Sequence, residues 1–412
     1  MTPMKIIKEN HLILAIALLL SIQVSGQKKS QLHDYKFSED IVAELNSGTL
    51  RTTSAAYYYT FIGAYQKAIE QYELELEWGL DSISQIDSIL FLDYKPDNAL
   101  NYLAEKVQTD SIVIISEAHQ KPQHRIFTKK LLQAFYDQGF RYFGLETLLP
   151  SFQDSTKFLF DQALNTRKYP LNSPMTGYYT REPQMGDLVR TALAIGYEVF
   201  AYERMGSGER DSLQAANIAK FIKNRPPGKV LIQGGWYHAI ESDYPKRKND
   251  RWMAHHLKKM GLDPLTIYQD ALTEKGAIPA SPLYDLVQAD EVSVLINKQG
   301  QVFNGFDLQK HFDILLYHPP TKYQKERPNW IYEQTGHRFV PVEKKRINAD
   351  QYPVIVKAIF QKEEKNAVPL DIIELKNEDD PKELILRKGK YWIEITCKNG
   401  DEITYEVDVK NT

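Results

Sequence analysis

The sequence predicts an α/β fold, with a largely parallel mixed sheet flanked by helices, an N-terminal helical segment and a small C-terminal antiparallel β appendage. Three observations support this prediction. Short β-branched or aromatic runs alternate with segments of helical period between residues 111 and 297, which is typical of parallel α/β layers. Apolar and tyrosine residues recur at helical spacing before that region. Short strand patterns with an Asn399-Gly400 hairpin turn follow residue 345.

The first 26 residues have the layout of a secretory signal peptide. Lys5 and Lys8 precede an apolar run at 12–22, and Val24-Ser25-Gly26 offers a cleavage site after Gly26. A transmembrane anchor is the alternative, but this run is shorter than the roughly 20 apolar residues that span a bilayer. We therefore expect an exported protein, periplasmic or extracellular, with no stable membrane anchor after signal removal.

Composition indicates a globular chain with a buried core. Of its 412 residues, 42% are hydrophobic and 25% charged, which excludes a disordered or collagen-like protein. The net charge of -3 offers no attraction for nucleic acid, so the expected partner is a small-molecule or peptide substrate. Cys397 is the only cysteine, so no intramolecular disulfide can form. The expected division is a helical segment at 27–98, an α/β domain at 99–335 and a small β domain at 345–412.

The helical segment has a clear apolar and tyrosine stripe. Spacings of three and four predict one amphipathic helix whose tyrosines serve mainly in packing. The stripe consists of Tyr58, Ile62, Tyr65, Ile69, Tyr72 and Leu76.

In the α/β region, six runs have strand character. They lie at 112–115, 141–145, 198–202, 229–233, 265–268 and 292–297. The helix after the first run is predicted through 126–135 and is closed by Gln138-Gly139. In the C-terminal region, strands are expected at 371–375, 383–386, 391–395 and 403–407.

Ionisable side chains follow four of these strands. Ligands bind outside the carboxyl ends of parallel strands, because the loops and helix N-termini converge there. Each residue alone is ordinarily a cap or a packing group, but their convergence predicts a functional cluster. These residues are Glu117, His119, Glu146, Glu203, Arg204 and His238.

Two histidines with carboxylates support two chemical schemes. In one, a carboxylate-held histidine takes a proton from water, which attacks an acyl carbon while a cation stabilises the oxyanion. In the other, the side chains bind a divalent metal that lowers the pKa of its water. The spacing of these residues along the chain does not decide between the two schemes. A covalent nucleophile is not favoured, because the chain has no Gly-x-Ser-x-Gly motif and Cys397 lies in the appendage.

Several motifs, in order, resemble one superfamily. Ser116-Glu117-Ala118-His119 resembles the Gly-Glu-x-His motif of the erythromycin-esterase, ChaN-like and TraB/Tiki superfamily, and its continuation to His124 looks like the ChaN-like version. Glu146 falls where that superfamily has its second strand-end glutamate. Residues 210–217 resemble the Arg-Asp-x-x-Met-Ala-x-Asn segment of erythromycin esterases, and they lead to a strand ending in His238. Residues 312–319 are similar to the closing strand, so the resemblance covers about 100–320.

The resemblance implies roles for individual residues. His119 or His238 would be the general base or a metal ligand. Glu117 and Glu146 would orient these groups or ligate the metal, and Arg210 would stabilise negative charge. If a metal is bound, its implied ligands are His119, Glu146 and His238. The implied activity is hydrolysis of an ester or related acyl bond. A Tiki-like metal-dependent peptidase and a haem- or iron-binding protein without turnover are the alternatives, the latter with His124 as haem ligand.

Overall fold

A mixed sheet of eight strands forms the centre of the fold. The structure is a computed structural model, and it describes residues 35–75, 83–151, 157–203, 209–244, 250–306 and 311–410. The strands are β1 (Lys95–Asn98), β2 (Ile112–Glu117), β3 (Phe140–Leu145), β4 (Glu198–Ala201), β5 (Lys229–Gly235), β6 (Leu265–Leu272), β7 (Ser293–Ile296) and β8 (Ile314–Tyr317). Their spatial order is β1-β7-β8-β6-β2-β5-β3-β4. All neighbours from β8 to β4 are parallel, while β7 runs antiparallel to β1 and β8. The predicted α/β fold class is confirmed.

The apolar run of β2 shows why these strands are buried on both faces. Val113 and Ile115 pack into one hydrophobic core, whereas Ile112 and Ile114 pack into a second core on the opposite face. Successive strand residues point to opposite sides, so a strand covered by helices on both sides is apolar at every position.

Helices cover both faces of the sheet. The helices of the described chain are α1 (Ser38–Asn46), α2 (Thr52–Phe61), α3 (Tyr65–Glu73), α4 (Gln85–Phe91), α5 (Ala99–Lys106), α6 (Gln123–Asp137), α7 (Leu164–Arg167), α8 (Pro183–Ile195), α9 (Arg210–Lys223), α10 (Met253–Lys259) and α11 (Asn329–Tyr332). Buried residues of α5, α6 and α8 pack into the first core, and those of α9 and α10 into the second. None of the helices in the described part of the chain combines the length and the apolar character that a membrane span requires. The predicted signal peptide lies outside the described residues.

The predicted N-terminal amphipathic helix is wrong in one respect, because it is two helices, α2 and α3. The chain turns at Gly63, whose φ of 71° lies in the left-handed region that favours glycine. A Cβ atom at this position would lie only 2.5 Å from the carbonyl oxygen of Ile372, so a side chain cannot be accommodated. Leu76, the last residue of the predicted stripe, lies outside the described residues.

The C-terminal region forms antiparallel sheets, as predicted. The strands are β9 (Tyr323–Gln324), β10 (Arg327–Pro328), β11 (Arg338–Val340), β12 (Val354–Phe360), β13 (Asp371–Leu375), β14 (Leu384–Leu386), β15 (Gly389–Cys397) and β16 (Glu402–Val409). The main sheet has the order β13-β12-β15-β16, and β9 pairs with β10 and β11 with β14. The Asn399-Gly400 turn joins β15 to β16, with Gly400 at φ 93°.

This β region packs against the rest of the protein through apolar and buried ionic contacts. Ile355 and Ile372 share a core with residues of α1 and α2. Arg190 of α8 donates to Glu363 Oε2 at 2.6 Å, and both side chains are buried. Within the C-terminal region itself, Arg327 Nη2 donates to Asp371 Oδ1, and both of these side chains are fully buried. The N-terminal helices thus contact the β region, and Tyr57 of α2 and Tyr72 of α3 also contact His119 and Trp236 near the strand ends.

Candidate active site

The carboxyl ends of three neighbouring strands meet at one edge of the sheet. Strand β5 lies between β2 and β3 and is parallel to both. Glu117 is the last residue of β2, Glu146 follows β3, and His238 lies in a short 3₁₀ helix, Trp236–Ala239, after β5. Because parallel strands end at the same edge, these side chains face the same site.

A carboxylate holds His119 in one orientation. His119 Nδ1 lies 2.8 Å from Glu117 Oε1, while Arg125 donates two hydrogen bonds of 2.9 Å to the same carboxylate and Gln233 donates one of 2.5 Å. Burial raises the pKa of Glu117, but the charge of Arg125 and the bond from His119 outweigh it and lower this pKa to about 2. An ionised carboxylate only accepts hydrogen bonds, so Nδ1 carries the proton and Nε2 keeps a free lone pair. Within the described chain, His119 Nε2 has no hydrogen-bond partner.

Arg125 connects this pair to the neighbouring helix. Its side chain is fully buried, and its Nη1 donates to Glu182 Oε2 at 2.9 Å while Nη2 donates to the carbonyl oxygen of His119 at 3.0 Å. Glu182 Oε2 also accepts the backbone N–H of Met185 at 2.8 Å, which caps α8. Burial opposes the charge on Arg125, but Glu117 and Glu182 raise its pKa above the usual value. Arg125 is therefore a positioning residue for the His119 loop.

A second histidine is held in a similar way. His238 Nδ1 lies 2.5 Å from Asp211 Oδ1, and Asp211 is fully buried and also accepts the backbone N–H of Met253 at 3.0 Å. Arg210 Nη1 lies 3.0 Å from His238 Nε2. A guanidinium can only donate, so Nε2 is the acceptor and Nδ1 donates to Asp211. The two histidines thus differ, since the Nε2 lone pair of His238 is already engaged.

Glu146 lies between the two histidines. Its Oε1 accepts a 2.5 Å bond from Arg210 and lies 3.6 Å from His238 Nε2, while its Oε2 accepts the backbone N–H of Gly235 at 2.5 Å. A Cβ atom on Gly235 would lie 2.6 Å from His119 Nε2 and 3.3 Å from Glu146 Oε2, so both groups face the same small space. Burial raises the pKa of Glu146, but His238 and Arg210 outweigh it and lower this pKa to about 2.

Aromatic rings cover His119 on several sides. Tyr179 stacks on the imidazole at a centroid distance of 4.1 Å, Trp236 meets it edge-on at 4.6 Å, and Tyr57 of α2 approaches at 6.1 Å. Trp236 has a φ of 36°, a left-handed backbone conformation that costs a large residue on the order of 1–3 kcal/mol. The N-terminal helices therefore contribute to the surroundings of His119.

The structure brings all five predicted catalytic residues together. These are Glu117, His119, Glu146, Arg210 and His238. Glu203, another predicted strand-end residue, accepts hydrogen bonds from Arg210 Nε and Nη2. Arg204 lies outside the described residues.

His124 does not join this cluster. It is fully buried, its Nδ1 accepts the backbone N–H of Ala118 at 3.0 Å, and its ring lies 4.7 Å from that of His318. Burial and the neighbouring ring of His318 hold the pKa of His124 well below its usual value. The side chain thus supports the turn that carries His119, and the haem-ligand alternative gains no support from its position.

Ser116, where the resembled motif has glycine, is accommodated as a strand residue of β2. Its hydroxyl accepts the backbone N–H of Gln269 at 3.2 Å, and its carbonyl oxygen accepts Gln269 Nε2 at 2.7 Å. These contacts with β6 allow a serine to precede Glu117.

Sequence reasoning missed several residues that complete the site. Asp211 could have been found, because it stands next to Arg210 in the recognised motif. Gln233 is the polar residue near the end of an otherwise apolar strand, which is a weaker signal. Arg125, Tyr179 and Glu182 give no local signal, because an arginine in a helix and polar residues in a long loop are usually exposed.

The predicted metal ligands, His119, Glu146 and His238, do not converge on one point. A site for a metal needs donor atoms gathered around one point. In the described ranges, the one group of at least three donors within 4.8 Å of one another is Glu209, Asp250 and His256. His119, Glu146 and His238 do not form such a group, and the guanidinium of Arg210 already faces His238 Nε2. The arrangement of these three residues does not fit a bound cation.

Comparison with family models and with curated proteins gives no match. Solved structures give distant likenesses. The type III effector HopBA1 is 13% identical, with 55% of this chain and 96% of that chain covered and a TM-score of 0.34. A Bacillus cereus protein is 14% identical, with 57% and 96% covered and a TM-score of 0.37. RRSP, a MARTX toxin effector domain from Vibrio vulnificus, is 14% identical, with 65% and 50% covered and a TM-score of 0.29. TM-scores this low support no functional assignment.

Proposed function

We propose that the protein is a hydrolase that activates water to cleave an ester or related acyl bond. The observation that supports this proposal is the pairing of His119 with ionised Glu117, which leaves Nε2 free to accept a proton beside the Glu146 and Arg210 charges. A histidine held by a carboxylate in one tautomer is the arrangement that general-base catalysis requires.

The proposed reaction proceeds through one addition and one elimination. Water loses a proton to His119 Nε2 while its oxygen forms a bond to the acyl carbon, and the carbonyl electrons move to oxygen. Arg210, whose side chain is 44% exposed, donates a hydrogen bond to the resulting oxyanion. The intermediate collapses, the bond to the leaving oxygen or nitrogen breaks, and His119 returns the proton to that atom. Glu117 stabilises the transient imidazolium.

The second histidine has a positioning role in this scheme. His238 is bonded to Asp211 on one side and to Arg210 on the other, so it fixes the direction of the guanidinium. Glu146 bonds the same guanidinium and the backbone of Gly235, which holds the strand-end loop in place.

The proposal is tested with a panel of ester and peptide substrates on the intact protein and its His119→Gln and His238→Gln variants. We expect His119→Gln to lose about 10²–10⁴-fold in rate, the usual contribution of general acid–base catalysis. His337→Gln, a change outside the cluster, is the matched control. Activity that survives both cluster substitutions would reject the mechanism. Activity that is lost to a chelator and restored by zinc or manganese would instead support the metal-dependent peptidase alternative.

We also propose that the protein is exported, on the basis of the charged and apolar pattern of residues 1–26. N-terminal sequencing of protein secreted by a bacterial host should then begin at Gln27. A mature chain that retains residues 1–26 would contradict this proposal.

A further inference from the structure

A pocket lies directly beside the strand-end cluster. Its volume is about 280 Å³, and Gly235 and His238 belong to both the pocket and the cluster. Ligand pockets commonly enclose roughly 300–1,000 Å³, so this one suits a small ring more than a polymer segment. A group bound here would lie beside Gly235 and His238 of the strand-end cluster.

Aromatic side chains form the walls of the pocket. Trp236 stacks on Tyr72 with centroids 5.5 Å apart and an interplanar angle of 19°. Tyr237 meets Trp252 edge-on at 5.5 Å, and all four rings line the pocket. Flat aromatic faces of this kind pack against the C–H faces of an aliphatic ring.

Two hydrogen-bond acceptors among the lining residues lack donors. Glu73 is 3% exposed, and its Oε2 accepts the backbone N–H groups of three consecutive residues, 276–278, whereas its Oε1 has no hydrogen-bond partner among the described residues. Gln120 is also 3% exposed, and its Oε1 has no partner in the described chain. Unsatisfied buried acceptors are costly, so a ligand that brings hydroxyl groups gains from these positions.

Around Glu73 and Gln120, the acidic and basic side chains in and beside the pocket balance in number. Asp270 and Glu73 are acidic, while Lys275 lines the same pocket and Lys121 bonds Asp270 at 2.8 Å. An anionic ligand would meet the two carboxylates, and a cationic ligand would meet the two ammonium groups. A neutral ligand that both donates and accepts hydrogen bonds is the best match to such a set.

We propose that this pocket binds a neutral sugar ring, so that the acyl group removed by the site is one carried on a carbohydrate. The aromatic walls would hold the ring faces, and Gln120, Glu73 and Asp270 would bond its hydroxyl groups. Removal of an acyl group from the sugar rests on the proposed hydrolase function, whereas sugar binding does not.

Binding is measured by calorimetry and by tryptophan fluorescence on the full-length protein. The probes are methyl glycosides of glucose, galactose and mannose, with cyclohexylammonium and cyclohexanecarboxylate as charged rings of similar size. We expect at least one glycoside to bind about tenfold or more tightly than either charged ring, a difference of about 1.4 kcal/mol.

Two pocket variants are compared with matched surface variants. Gln120→Ala and Tyr72→Ala should weaken glycoside binding about tenfold, in line with the loss of a hydrogen bond or an aromatic wall. Gln133→Ala and Tyr244→Ala change the same residue types at exposed positions and should leave binding unchanged. Preference for the ammonium or the carboxylate ring, or glycoside binding that the two pocket variants do not weaken, would overturn the inference.

A second measurement separates the pocket from the catalytic proposal. Hydrolysis of acetylated methyl glycosides is compared with hydrolysis of p-nitrophenyl acetate. Glycoside binding without hydrolysis of either ester would support the pocket and reject the hydrolase. Hydrolysis of p-nitrophenyl acetate without glycoside binding would reject the pocket and leave the hydrolase intact.

Discussion

Replacing Glu117 by glutamine removes the charge on which both Arg125 and His119 depend. The carboxylate is buried and accepts bonds from three side chains. Lowering its pKa from 4.5 to about 2 corresponds to about 3 kcal/mol of stability at neutral pH. Loss of one partner from a buried ion pair costs on the order of 3–5 kcal/mol, which agrees with that value. We therefore expect Glu117→Gln to lower the free energy of unfolding by about 3 kcal/mol.

The pH dependence of this loss gives the sharper test. Because folding lowers the pKa of Glu117, its contribution is fully present above the unfolded pKa of about 4.5 and is lost as the pH falls towards about 2. Urea denaturation of the wild type and the variant at about pH 7 and about pH 3 measures the difference. At about pH 3, roughly half or less of the difference in unfolding free energy between wild type and variant should remain.

Glu105→Gln, at an exposed position of α5, is the control and should change the free energy of unfolding by less than about 0.5 kcal/mol. If Glu117→Gln has no larger effect than this control, or if its effect does not depend on pH, the assignment of Glu117 as an ionised buried partner is refuted.

Three further changes test the site and its supports. Gly235→Ala would place a Cβ atom 2.6 Å from His119 Nε2 and displace the imidazole, so hydrolysis should fall at least about tenfold; unchanged rates would place the reaction elsewhere. Asp211→Asn can present an amide N–H to His238 Nδ1 and force the other tautomer, so the rate should fall roughly 10²-fold, and an unaltered rate would remove this pair from the mechanism. Arg327→Met leaves its buried carboxylate partner unpaired and should cost about 3–5 kcal/mol in urea denaturation; a cost below about 1 kcal/mol would show that this ion pair does not stabilise the fold.

The central fold was predictable because its strands are buried on both faces. The first four residues of β2 are apolar because both faces of the strand are covered there, and this leaves a clear run at 112–115. The antiparallel orientation of β7 was not predictable from its own residues, since the direction of a strand depends on its connections. The short edge strand β1 was missed because Lys95–Asn98 is mostly exposed and polar.

The single N-terminal helix was predicted from a regular apolar stripe, and it was wrong because the stripe continues through a turn. At the Gly63 turn the backbone passes so close to Ile372, a residue more than 300 positions away, that a Cβ atom would not fit. Periodicity reports which side of a segment is buried, and it does not report an interruption imposed by a distant part of the chain.

The α/β class and the strand-end positions of Glu117, His119, Glu146 and His238 were predictable from the chain alone, because hydrophobic runs and the residues that end them are local features. The pairing of these residues depends on how the strands and helices pack in three dimensions. Strand order placed β5 between β2 and β3, burial made an ion pair of Glu117 and Arg125, and the start of α9 brought Asp211 to His238. Pairing of charges across elements depends on distances and burial that no local pattern contains.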